Sequence, residues 1–241
     1  MATRIGKNKR HRLAHEPHTA ILVHSVATPI RMQWFEADCN KGKGNATACH
    51  QVAEFLSVMK QDFKKAGKMY LMNCRTRDHG PSCFRFGQSL LTGRGMMQSD
   101  SEAEKFFASA CEKDHQPACL HLGLMHVTGG VGFKQDMKKA EQVFDSSCAE
   151  GMGDSCNLLA KQLLRKDEKR MIPRDPPRAQ KLLEKGCSYD HVSSCHNLAV
   201  MYMLGDDDVP IDHLKYRKFM DRTEKLDALY RALGGNRQSF T

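Results

Sequence analysis

Cys111-Glu-Lys-Asp-His-Gln-Pro-Ala-Cys119 sets two cysteines seven residues apart, with the turn-forming Pro117 between them and helically patterned apolar residues on either side. Cys148/Cys156 and Cys187/Cys195 keep the same gap, Cys74/Cys83 widens it to eight and Cys39/Cys49 to nine, so the ten cysteines fall into five neighbouring pairs. The first members Cys74, Cys111, Cys148 and Cys187 follow one another at 37, 37 and 39 residues, and Cys39 stands 35 before Cys74. A period of this size marks a helical array, in which one helix pair cannot bury its apolar face alone and stacks on the next. The expected fold is an all-α solenoid.

Working outward from each pair, the helix that ends at the first cysteine is announced by an aspartate, at Asp62, Asp100, Asp136, Asp175 and Asp212. Such a carboxylate can accept the free amide hydrogens of a first helical turn. Four residues on, or three after Asp100, stands Ala66, Ala103, Ala140 or Ala179. A large doublet follows, Met69-Tyr70, Phe106-Phe107, Val143-Phe144 or Leu182-Leu183, and then the cysteine, all on one helical face. The other helix of each repeat is read as beginning at the second cysteine. A small residue four later (Ala53, Gly87, Gly123, Ala160, Ala199) admits a close neighbour, and Gly93, Gly129 and Gly205 end the helix ten later. Repeat four has Lys166 in place of that glycine and a charged insertion to Arg174, which predicts a longer, more mobile loop.

The expected organisation is a basic, disordered extension over residues 1–27, with a targeting segment as its alternative, followed by the solenoid at 28–241. Thr28-Pro29 starts a half repeat, 28–47, with Trp34-Phe35 as its doublet. Fuller repeats cover about 48–81, 82–117, 118–154, 155–193 and 194–241. Glu224 stands where a sixth first cysteine would fall, and the last helix runs on to Leu233 as a cap before Gly234-Gly235.

The net charge of +9 is concentrated at the start, where Arg4, Lys7, Lys9, Arg10 and Arg12 face one acid, Glu16. The rest carries about +5 of mixed sign, one tryptophan and no aromatic-plus-basic motif, so nucleic acid is not an expected partner. No apolar run approaches the 18 residues of a membrane span. Ten position-paired cysteines argue for an oxidising compartment. Because each first cysteine closes one helix and the second opens the next, sequential bridges are expected: Cys39–Cys49, Cys74–Cys83, Cys111–Cys119, Cys148–Cys156 and Cys187–Cys195. Ten buried free thiols are the open alternative. Zinc sites want shorter gaps.

Histidines sit near sulfur at Cys49-His50, Cys195-His196, His115, His121 and His126, but CxxCH and HExxH are absent, and neither catalytic nor metal-binding residues are assigned. Positions two and five after the second cysteines point off the expected core face. Gln51, Glu54, Arg85, Gln88, His121, Lys161 and Asn197 form a varied polar stripe there, read as partner-binding at Arg85, Gln88, His121, Lys161 and Asn197, or else as ordinary wetted surface.

With Ser82-Cys-Phe-Arg-Phe-Gly, Leu-Thr-Gly-Arg-Gly, Ala118-Cys-Leu-His-Leu-Gly, Thr-Gly-Gly-Val-Gly and the Asp-x(3)-Ala helix starts in view, the chain resembles the cysteine-rich branch of the Sel-1-like repeat proteins. One group of that branch is bacterial, secreted and once described as β-lactamase-like. The other is animal and acts in cytochrome c oxidase assembly in the mitochondrial intermembrane space. The animal group is the closer match over 28–241, sharing five unevenly spaced pairs, an incomplete first repeat and a polar tail with a penultimate Phe240, although no further cysteine lies between Cys39 and Cys49.

The resemblance implies a right-handed α-solenoid related to tetratricopeptide arrays. It further implies a monomeric, non-enzymatic scaffold for respiratory-chain assembly, chiefly of cytochrome c oxidase, that binds protein clients in the intermembrane space and carries no cofactor. The alternatives it leaves are a haem-binding chaperone or thiol-disulfide oxidoreductase of the same compartment, and a secreted β-lactamase-like hydrolase.

Overall fold

The cysteines lie at the junctions where one helix hands over to the next. A computed structural model describes residues 27–40, 44–167 and 171–234; the expected extension over residues 1–27 thus falls almost wholly outside the described residues. The helices are α1 (Ala27–Asn40), α2 (Ala46–Val58), α3 (Phe63–Arg77), α4 (Gly80–Thr92), α5 (Asp100–Cys111), α6 (Gln116–Thr128), α7 (Met137–Ala149), α8 (Gly153–Leu164), α9 (Pro176–Ser188), α10 (Val192–Leu204) and α11 (His213–Ala232). Among the described residues there are no strands, only the isolated bridges Gly130–Phe133 and Asp206–Val209. Each helix packs on its neighbours in the chain, α8 also meets α10, and α7 meets α9. The fold is an all-α solenoid of helix pairs led by the single helix α1.

At every junction one residue, five before the second cysteine, takes a left-handed conformation: Gly44 (φ 60°), Asp78 (55°), Asp114 (57°), Gly151 (104°) and Asp190 (60°). Glycine is forced at the first, where an added Cβ would lie 2.2 Å from the Cys39 carbonyl oxygen. Aspartate is among the few other residue types that enter this region readily. In three junctions the next amide reaches back five residues, from His115 to the Ala110 carbonyl (3.1 Å), Met152 to Ser147 (3.1 Å) and His191 to Gly186 (3.2 Å), which closes the helix end. Pro117 is therefore not the turn residue. It sits in the first turn of α6, as Pro81 does in α4. The second cysteines likewise stand in the first turn of helices that begin three residues earlier, so each repeat starts earlier than the cysteine spacing suggests.

This turn brings the paired Cα atoms to 4.6–4.8 Å, and all five sequential pairs are bridged. No free cysteine is left. Beside three of the bridges, the residues just ahead of the two cysteines form a second contact, and beside a fourth both are small and buried. Asn73 Nδ2 donates to Ser82 Oγ (2.7 Å) and Ser155 Oγ to Ser147 Oγ (3.1 Å). Ala110 and Ala118 are both fully buried, and Gly186 leaves the room that Ser194 fills, since a Cβ there would stand 2.3 Å from Ser194 Oγ.

Asp62, Asp136, Asp175 and Asp212 cap α3, α7, α9 and α11 with their carboxylates. Asp100 does not cap α5. Ser99 does, which restores the four-residue spacing to Ala103, while the Asp100 carboxylate accepts the Val131 amide of the next repeat (2.8 Å). Thr28 lies inside α1, behind Ala27. The backbone amide of each later cap returns to the carbonyl seven residues after the second cysteine: Ser99 to Leu90, Asp136 to His126, Asp175 to Leu163 and Asp212 to Tyr202, at 2.8–3.1 Å. The insertion in repeat four starts at Arg165, the C-cap of α8, and is longer as expected. Its second half is held by buried Ile172 and by the Arg174 ion pairs to Asp206 and Asp207, whereas residues 168–170 lie outside those described.

Within each doublet it is the second member that is buried deepest, as Tyr70, Phe107, Phe144 and Leu183. Phe107 and Phe144 press on Gly87 and Gly123, where an added Cβ would meet the rings at 2.9 and 2.4 Å. Phe35, the corresponding residue of α1, is half-buried, and Trp34 ahead of it is 70% exposed, with no described helix before α1 to cover it.

Two outcomes follow. A loop of about eight residues closed by a disulfide contributes about 2.5 kcal/mol by the loop-entropy model. Dithiothreitol is therefore expected to lower the melting temperature strongly, and Cys148→Ser to loosen both adjoining repeats in hydrogen exchange where Cys39→Ser frays one end; a melt indifferent to reductant would contradict this. Gly123→Ala is expected to cost about 1–3 kcal/mol through overpacking against Phe144, with part regained in the Gly123→Ala/Phe144→Leu double variant, as read by denaturant titration.

Candidate partner-binding surface

The second cysteine of each pair fixes one helix in register, so residues at equal offsets from it recur side by side on α2, α4, α6, α8 and α10. Glu54 on α2 accepts from the Arg85 guanidinium of α4 (Nε 2.8 Å, Nη2 3.0 Å) and from the Tyr70 hydroxyl (2.6 Å), and Arg85 also donates to Gln88 (3.1 Å). Asn197 on α10 donates to Asn157 on α8 (2.7 Å). Lys161 is exposed on α8. His121 is different. Its ring packs on Phe84 and Phe107 (centroids 5.0 and 5.5 Å) and Nδ1 meets the Pro117 carbonyl (2.9 Å). The structure thus brings Arg85 and Gln88 together with Glu54 and leaves Lys161 and Asn197 further along the array. Several stripe residues spend part of their polar capacity joining successive repeats.

Beside this stripe lies a network that the sequence reading did not assemble. Ser82 is fully buried, and its hydroxyl meets Nδ1 of His50 (3.0 Å), Nδ1 of His79 (2.9 Å) and Nδ2 of Asn73. His79, His115 and His191 occupy the N-cap positions of α4, α6 and α10. The available signal was the serine directly before a second cysteine with a histidine three residues ahead, at His79/Ser82 and His191/Ser194.

Burial, then the neighbouring His79, Arg85 and His115, lowers the pKa of His50 to about 3. Burial, then His79, Arg85 and His121, lowers that of His115 to about 4, and burial lowers that of His79. These imidazoles are neutral at physiological pH and act as hydrogen-bonding and packing groups.

His191 joins Ser194 (2.8 Å) to Asp154 (3.2 Å), an order of groups that resembles a hydrolase relay. Ser194 is fully buried, though, and its hydroxyl also meets the Gly153 carbonyl at 3.5 Å. Substrate has no route to it, and the chain of bonds serves to tie α8 to α10. Among the described residues no group of three or more His, Cys, Asp or Glu side chains is placed to hold a metal ion, and no helix is long and apolar enough to cross a membrane.

The Sel1 repeat profile matches residues 80–115, 116–151, 153–188 and 192–215, and the chain belongs to the Sel1 repeat family. Cytochrome c oxidase assembly factor 7 of Xenopus tropicalis is 30% identical over 177 residues, 71% of this chain and 75% of the relative. The human protein of the same name is 29% identical over 138 residues, 54% of this chain and 60% of its own length. Among solved structures, a Sel1 repeat protein from Oxalobacter formigenes superposes with a TM-score of 0.67 at 19% identity, covering 82% of this chain and 80% of that one. A protective antigen of uropathogenic Escherichia coli with an SLR fold gives the same score at 18% identity, over 85% of this chain and 45% of the antigen. These two likenesses establish the shared fold.

Because His50 folds with its pKa pushed below the ordinary 6.5, the unfolded chain takes up a proton that the folded chain refuses. Stability is full above about pH 6.5 and is lost as pH falls below it, by about 1.4 kcal/mol per pH unit for this one group. His50→Gln is therefore expected to flatten the fall of melting temperature between pH 6.5 and 5. An unchanged slope would show that the imidazole is not held neutral.

Proposed function

We propose that this protein is a non-catalytic scaffold for the assembly of cytochrome c oxidase in mitochondria, acting in the intermembrane space by binding protein clients as a monomer, and that its role extends to other respiratory-chain complexes. The single observation that carries the reading is the relation to cytochrome c oxidase assembly factors over about three quarters of their length. Five bridges at regular junctions fit an oxidising compartment. A rigid array with a varied polar row fits client recognition better than chemistry. The proposed client surface is the row that carries Arg85, Gln88, His121, Lys161 and Asn197.

Cells lacking the protein are expected to hold less assembled cytochrome c oxidase on native gels, with full recovery by the wild-type chain and weaker recovery by Arg85→Glu/Lys161→Glu. In protease-protection assays on mitochondria the chain should become digestible once the outer membrane is opened. Normal oxidase levels without the protein would overturn the assembly role, and protection after outer-membrane rupture would overturn the compartment.

A further inference from the structure

Among the described residues the array ends in α11. A shallow groove of about 590 Å³ runs along this helix and is closed on one side by Asp190 in the turn before α10. From the first cysteine of the preceding repeat, Cys187, to its counterpart Glu224 is 37 residues, so Arg217 and Asp221 on α11 correspond to Gln180 and Glu184 on α9. In α9 those two positions receive the following helix: Gln180 and Glu184 both bond the Tyr202 hydroxyl of α10, at 2.7 and 3.0 Å. The groove on α11 thus occupies the place that a sixth repeat's first helix would take, and no described residue fills it. Of the 20 residues of α11 only Thr223 is buried, and Leu214 at its start is 81% exposed.

The charge of the seat selects its occupant. Arg217, Lys218, Arg222 and Lys225 line it against the acids Asp190 and Asp221, with Arg222 paired to Asp190 at 2.8 Å. Three cations and one acid remain to meet a ligand. The chain's own outlying segments do not complement them: residues 1–26 hold five cations against one acid and residues 235–241 hold one cation, Arg237, and no acid. A second copy of the chain carries +9. Like charges across an interface are repelled, whereas opposite charges fix register and speed encounter. The apolar positions Leu214, Leu229 and Leu233 bracket the cations along the helix, 55–81% exposed, and match a helix whose acidic residues are flanked by apolar anchors.

We propose that the C-terminal groove on α11 is a docking site for an acidic amphipathic helix of a partner protein, which completes the solenoid as an added repeat helix. The site lies apart from the polar row on α4 to α10, and it stands whether or not that row binds a client.

The test uses the full, oxidised chain and a labelled synthetic helical peptide with glutamates at i, i+4 spacing between leucine anchors, read by fluorescence anisotropy. A lysine-for-glutamate version of the peptide and phosphatidylglycerol vesicles are run alongside. Expected results are saturable binding of the acidic peptide that weakens with salt, at least tenfold weaker binding by Arg217→Glu/Lys225→Glu, and unchanged binding by Lys64→Glu on α3. Both altered side chains of the double variant are exposed, so its melt should match the wild type. Equal binding of the two peptides, indifference to the α11 reversal, or binding of vesicles but not of the acidic peptide would overturn the proposal.

Discussion

The left-handed residue five before each second cysteine is the constraint on which the rest depends. One positive φ reverses the chain tightly enough to bring the paired Cα atoms within 4.8 Å, and only then can a bridge form and two small or hydrogen-bonded residues meet beside it. The bridge is the consequence of that turn and also its lock. Because the same geometry is repeated five times, successive helices keep one register, and equal offsets from the cysteines land on equal faces. Stability of this kind is assembled from local and nearest-neighbour terms rather than from one central core. The two clusters of buried side chains, an aromatic one around Phe84, Phe86 and Phe107 and a more aliphatic one around Leu159, Leu183 and Leu198, reflect that arrangement.

Much of this could be read before any coordinates. The 37-residue interval, the buried face formed by alanine, doublet and cysteine, and the small residues opposite the aromatic rings all follow from helical periodicity, which is a local property. What escaped was set by backbone conformation or by contacts between repeats. Pro117 looks like a turn former, yet Asp114 makes the turn, because aspartate tolerates the left-handed region and proline's fixed φ suits a first helical turn. Asp100 looks like its fellow caps, yet Ser99 intervenes and frees the carboxylate for Val131 in the next repeat. Likewise nothing in spacing alone reveals that His50 and His79, 29 residues apart, share the Ser82 hydroxyl. Within the polar row His121 turns its ring onto Phe84 and Phe107, and the Glu54–Arg85 and Asn157–Asn197 bonds could be seen only once adjacent repeats were side by side.

The two ends of the array are unlike. α1 turns Trp34 to solvent, whereas α11 is longer than its counterparts, polar over most of its surface and strongly basic along one side. The electrostatic character of the protein is therefore distributed by position in the array, with the interior repeats nearly balanced through pairs such as Arg178 with Glu141 and Asp145, and Arg174 with Asp206 and Asp207.

The fit of Phe107 into Gly87 and of Phe144 into Gly123 lies within a repeat, whereas the pairs Asn73–Ser82, Ala110–Ala118, Ser147–Ser155 and Gly186–Ser194 lie between repeats. The array is therefore keyed both within and between repeats, and its modules are not interchangeable bricks. Duplication of a unit carries its inner key along intact, but each new junction must find a matching outer key. Sequence drift in such a protein is coupled across a distance of eight or nine residues at these four seams, so that a change from small to polar on one side becomes tolerable only with an answering change on the other.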